Sequence, residues 1–200
     1  MFNRTENFKQ YITYYPVVSF ILAVNIALYI ITIIPVIGDE VFYFGMGING
    51  LIYEGDYYRL VTSMFLHGGF LHLLFNMFSL FLFGPELEKF AGKLRFITIY
   101  LISGLIGNVV TLFVHPEYLY ASVGASGAIF GVIGAFGALV YYTRHIFPQL
   151  KQIIVPIIII SVVMSFIQPN INIAAHLGGL ACGFAIGLVF FNPKKLRRIK

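Results

Sequence analysis

Two hundred residues suit one domain or two small ones, but 59% of them are hydrophobic and only 10% are charged. Soluble globular domains run nearer half and a quarter, so with a mean hydropathy of +0.88 this chain has no means of building a water-facing surface. Disorder is excluded for the same reason. The net charge of +5 raises nucleic acid as a partner, but its distribution, taken below, points to a membrane and no nucleic acid is expected.

Charged residues mark the ends of the segments. Uncharged runs cover residues 10–38, 60–85, 96–116, 118–143 and 152–193, which is 29, 26, 21, 26 and 42 residues. About 20 residues cross the hydrocarbon core as a helix. The last run holds two such helices, parted at Gln168, Pro169 and Asn170, because proline lacks an N–H and the amides suit a turn. The expected fold is therefore all-α: a polytopic membrane protein with one domain over residues 1–200. Its six spans are expected near 17–37, 64–84, 95–114, 124–142, 150–167 and 173–191. The first run is too long for the apolar region of a cleavable signal peptide, and five further spans follow it. The single cysteine, Cys182, lies inside an apolar run and reads as a packing residue.

Lysine and arginine orient the bundle. Twelve of the 13 fall in the two tails and the even-numbered connections, among them Lys89, Lys93, Arg95, Arg144 and Lys151. Only Arg59 lies on the other side. The positive-inside rule makes the basic side cytoplasmic and puts both termini there, in a multi-pass protein of the cell membrane. The basic C-terminal tail then anchors to anionic head groups, the lipid bilayer being a partner in itself. The first outer connection, residues 39–63, is rich in aromatics and glycine. Either its tyrosines sit at head-group level, or it is a structured loop that packs on the bundle and shapes a site.

Polar groups inside spans are expensive and are functional candidates by default. His67, His72 and Asn76 in the second span, Ser126 in the fourth and His176 in the sixth stand out. The second, fourth and sixth spans run in the same direction, and Ser126 and His176 both fall within about 5 Å of the outer end of their helices. His72 and Asn76 share a helical face at the same depth. Gly127, Gly131 and Ala135 form a stripe of small residues, answered by Gly179, Gly183 and Gly187 in the sixth span, so the two helices can approach closely. That approach brings a serine to a histidine, the minimal activated nucleophile. No acidic residue falls inside a span, which favours a Ser–His dyad over a triad. Asn76, His72 and the Ser126 backbone N–H are suitable oxyanion donors. No His-Glu-x-x-His string exists, and no metal or other cofactor is called for. A three-histidine metal site and a non-catalytic membrane binding or chaperone module remain the alternatives.

At these residues the sequence resembles the rhomboid family of intramembrane serine proteases. The resemblance rests on Gly124-Ala-Ser126-Gly127, on Ala175-His176-Leu-Gly-Gly179, on His67-x4-His72-x3-Asn76, and on the six spans that carry them. It implies a serine endopeptidase that cuts membrane proteins through a transmembrane helix near its outer end. It implies Ser126 as nucleophile, His176 as base, and His72, Asn76 and Gly124 as oxyanion support. His67, Arg59, Phe130, Gly179 and Gly183 are implied as structural. Two departures stand out: Tyr58-Arg59 where many relatives have Trp-Arg, and Phe130 where some have tyrosine under the catalytic histidine.

Overall fold

The computed structural model describes residues 4–168 and 171–193. The turn expected at Pro169 and Asn170 and the five basic residues after Pro193 lie outside the described residues. The chain is all-α, with one short ribbon in its loops. Five helices are long and apolar enough to cross a membrane. They are α6 (Phe70–Ala91), α7 (Lys93–Val114), α8 (Ser126–Thr143), α9 (Pro148–Ile167) and α10 (Ile173–Phe190). Before them come α1 (Phe8–Tyr14) and α2 (Pro16–Thr32), then α3 (Ile37–Gly45), α4 (Asn49–Tyr53) and α5 (Arg59–Thr62) in the long first connection.

Two expected spans begin or end elsewhere. The first was expected to reach residue 37, but α2 stops at Thr32 because Pro35 follows and Val36 takes a left-handed backbone. At 17 residues α2 is one residue shorter than the shortest of the five, and it is bent 111° from α1 at Tyr15. The second was expected from residue 64, yet residues 63–65 form a 3-10 turn, and α6 starts at Phe70 after Gly68 and Gly69. It then runs on through Glu86 and Glu88, so those two acids lie inside a helix, contrary to expectation. Glu88 is buried there and has a task. Its carboxylate accepts from the backbone N–H groups of Val17 and Val18, at 3.1 and 2.9 Å. A carboxylate at a helix N-terminus satisfies orphan donors and suits the positive end of the helix dipole. No side chain of α2's own N-cap does this.

The centre of the bundle is α8, buried from Gly127 to Val140 except at Gly137. It packs on α7 and, most extensively, on α10. Glycine makes that contact possible. A Cβ on Gly179 would overlap the carbonyl oxygen of Gly127, and one on Gly183 the carbonyl oxygen of Gly131. The two stripes read from the sequence do face each other, backbone to backbone. By contrast α9 buries only Ile154 and Ser165.

Gly183→Val forces a branched side chain against the backbone of Gly131 and should cost about 3 kcal/mol or more, the upper end for overpacking. Gly69, with nothing within 4 Å of its missing Cβ, is the control, and Gly69→Ala should stay within about 0.5 kcal/mol. Thermal unfolding in detergent measures both. Equal midpoints for the two variants would mean that the α8–α10 contact is not close.

Candidate active site

The N-terminal ends of α6, α8 and α10 lie at one end of the bundle and surround a cavity of about 250 Å³. Ser126, His72 and His176 all line it. A second cavity, about 570 Å³, runs from the same three residues down between α6 and α9, past Asn76 and Ser165.

Ser126 is the first residue of α8, earlier in its helix than expected, and is half-buried. At that position its backbone N–H has no partner one turn back and is free to serve as a donor in the cavity. His176 is the fourth residue of α10 and is buried. Its ring lies flat on Phe130, with centroids 4.1 Å apart and planes 17° apart. Phe130, four residues after Ser126 on α8, thus supplies the stacking surface without a hydroxyl. The Nδ1 edge of His176 sits 2.7 Å from the Ser165 Oγ. That partner was not anticipated: Ser165 reads in sequence as one more small polar residue in an apolar helix, and only the packing of α9 reveals it.

His72 presents its Cε1 and Nε2 edge to Gly124, where a Cβ would come within 2.8 Å of both atoms. Gly124 has φ +131°, which glycine alone adopts freely. Its N–H is engaged with the Ser63 carbonyl at 2.9 Å, and its lack of a Cβ makes room for His72. Asn76 is buried and spends one amide N–H on the His72 carbonyl, at 2.8 Å. Its second N–H remains for another acceptor. His67 is fully enclosed, edge-on to His72 at 5.1 Å between ring centroids. Among the described residues no three His, Cys, Asp or Glu side chains converge in a way that could hold a metal ion.

The first connection is the structured loop of the two readings. Its segment β1 (Gly47–Ile48) pairs antiparallel with β2 (Ala121–Ser122), just before Ser126. Asn49 and Gly50 extend the pairing through N–H donation to the Tyr120 and Tyr118 carbonyls. Arg59 holds the loop's own turns together. It is buried, and it donates to Asp56 Oδ2 at 2.9 Å and to the Tyr43 and Met46 carbonyls at 2.7 and 2.9 Å. Tyr43 and Tyr58 flank the guanidinium at 5.7 and 5.3 Å. Tyr58 therefore does in part what a tryptophan there would do, as an aromatic face for a cation. Met46, at the end of this network, lines the small cavity.

A family model for the rhomboid domain matches residues 54–193. The chain belongs to the rhomboid family. It is 41% identical to YdcA, a rhomboid protein of Bacillus subtilis (strain 168), over 98% of this chain and 100% of that one. It is 39% identical to the rhomboid protease GluP of the same organism, over 76% of this chain but 29% of GluP. A rhomboid-like protease 1 of Toxoplasma gondii is 32% identical over 86% of this chain and 64% of its own length. The protein is a multi-pass membrane protein and a serine-type endopeptidase of this intramembrane family.

Arg59→Ala should loosen the first connection by about 2–3 kcal/mol, since charge-assisted hydrogen bonds to three acceptors are lost. Arg59→Lys should recover little, because an ammonium cannot fork to all three. Amide hydrogen exchange over residues 43–66 measures this, and unchanged protection would show that Arg59 does not hold the loop.

Proposed function

We propose that the protein cleaves transmembrane segments of other membrane proteins near their outer ends, with Ser126 as nucleophile and His176 as general base. One observation carries the reading: Ser126 and His176 open onto the same small cavity, at the N-terminal ends of the two most closely packed helices. The Ser126 Oγ attacks the scissile carbonyl while His176 Nε2 takes its proton. The same nitrogen then protonates the leaving amine, and water releases the acyl group by the reverse route. Negative charge on the tetrahedral oxygen meets the Ser126 N–H at the positive end of α8, and the ring of His72 and the free amide N–H of Asn76 add donors. The longer cavity between α6 and α9 is lined by apolar residues such as Leu71, Phe75 and Met164 and suits an unwound stretch of an apolar helix. Helix backbone is otherwise shielded by its own hydrogen bonds, so substrate must unwind to be cut.

In this reading α2 makes the sixth crossing and both termini are cytoplasmic. The basic residues Lys89, Lys93, Arg95, Arg144 and Lys151 support this, since they cluster at the end of the bundle opposite Ser126. The small cavity then lies toward the outer face. Reporter fusions should place the C-terminus inside and residues 39–63 outside; a C-terminal tag reporting outside overturns the six-span topology.

Ser126→Ala and His176→Ala should each lower cleavage of a single-span substrate by on the order of 10⁴-fold or more, with the double variant no lower, because the pair acts as a unit. Asn76→Ala should keep activity, reduced by at most about 10²–10³-fold, as other donors remain. A fluorophosphonate should label Ser126 in wild type, regardless of chelators, and not in His176→Ala. Labelling that survives the loss of His176 would rule out the dyad.

A further inference from the structure

A histidine has two ring nitrogens, and a general base needs its lone pair on the one that meets the nucleophile. The proton must then be kept on the other. In three-membered serine protease sites a buried carboxylate does this. Here, among the described residues, no acidic side chain lines either cavity.

The place is taken by the hydroxyl of Ser165, 2.7 Å from His176 Nδ1. That hydroxyl has one hydrogen, and it is committed. Ser165 Oγ donates to the carbonyl oxygen of Ser161, one turn back on α9, at 2.9 Å. An oxygen that has already donated can only accept in its other short contact, so Nδ1 carries a hydrogen and donates it to Ser165. The reverse assignment turns the serine hydrogen onto Nδ1 and leaves two oxygens lone pair to lone pair at 2.9 Å. Burial removes the escape into water: Ser165 is 3% exposed and His176 6%, and buried polar groups must pair with each other. Ser165 is also one of only two buried residues on α9.

We infer that Ser165 is a positioning residue for the reaction, holding His176 in the tautomer whose Nε2 is free to take the Ser126 proton. The inference rests on the Ser126–His176 reading. Phe130 fixes the plane of the ring and Ser165 fixes which edge is the base. Since Ser165 stands on α9 and His176 on α10, the competence of the base depends on α9 staying packed where it is.

Three substitutions and one spectrum test this. Ser165→Ala and Ser165→Val remove the acceptor, while Ser165→Thr, close to valine in shape, keeps it. On a single-span substrate the Ala and Val variants should lose about tenfold or more in kcat with KM unchanged, short of the 10²–10⁴-fold typical of losing a general base outright. Ser165→Thr should stay near wild type. In protein labelled with 15N-histidine, the His176 signals (identified by their loss in His176→Ala) should show a protonated Nδ1 in wild type and Thr. In Ala and Val the proton should move in part to Nε2. An unprotonated Nδ1 in the wild-type spectrum overturns the proposal whatever the variants do, and so does wild-type kcat in both apolar variants. Cleavage by Ser126→Ala would instead overturn the dyad, a separate result in the same assay.

Discussion

The approach of α8 to α10 is the constraint on which the rest of the site depends. Helices in a membrane gain little from the hydrophobic effect on meeting each other, so they associate by packing and by backbone proximity. Here the backbones of Gly127 and Gly131 lie where side chains of residues 179 and 183 would be. A contact that close fixes both the distance and the register of the two helices, with no freedom to slide by one residue. Ser126 lies one residue before the first of these contacts and His176 three residues before its partner, so their mutual placement is inherited from the glycines. The lever arms are short.

A second layer of organisation closes the end of the bundle that carries Ser126. The first connection is tied to the segment before Ser126 by a two-residue ribbon and by backbone donation from Asn49 and Gly50. Arg59 gathers two carbonyls and a carboxylate of the same connection into one buried node. A loop of this kind would otherwise leave unsatisfied backbone groups near the membrane, where each is costly. At the other end Glu88 does the comparable service for α2. The two buried charged residues among those described, Arg59 and Glu88, each answer a set of backbone groups.

The proposed catalytic groups differ from these in being answered by uncharged partners. His176 meets a phenyl face and a hydroxyl, and His72 meets a glycine that makes room for it. A carboxylate beside His176 would have to be desolvated, which costs several kcal/mol per ion even after relaxation. A serine costs far less to bury, since a helix carbonyl one turn back takes its hydrogen. An apolar-walled cavity and the lack, among the described residues, of a carboxylate lining it thus go together.

Much of this was legible in the sequence because a membrane makes sequence rules strict. Apolar run lengths mark the long helices, basic residues cluster at one end of them, and Ser126, His72, Asn76 and His176 stand out against an apolar background. The Gly127 and Gly179 stripes announce a close contact because small residues four apart have little other use. Helix ends were less legible: residues 33–37 and 64–69 are apolar enough for a span, but Pro35, Gly68 and Gly69 break the helix, and hydropathy does not register backbone geometry. Glu88 was misplaced for the opposite reason, since its cost is offset by donors from a helix 70 residues earlier in the chain. Ser165 was invisible. A serine in an apolar helix carries no mark of which neighbour it meets, and only the rotation and depth of α9 against α10 decide that its hydroxyl faces a histidine ring.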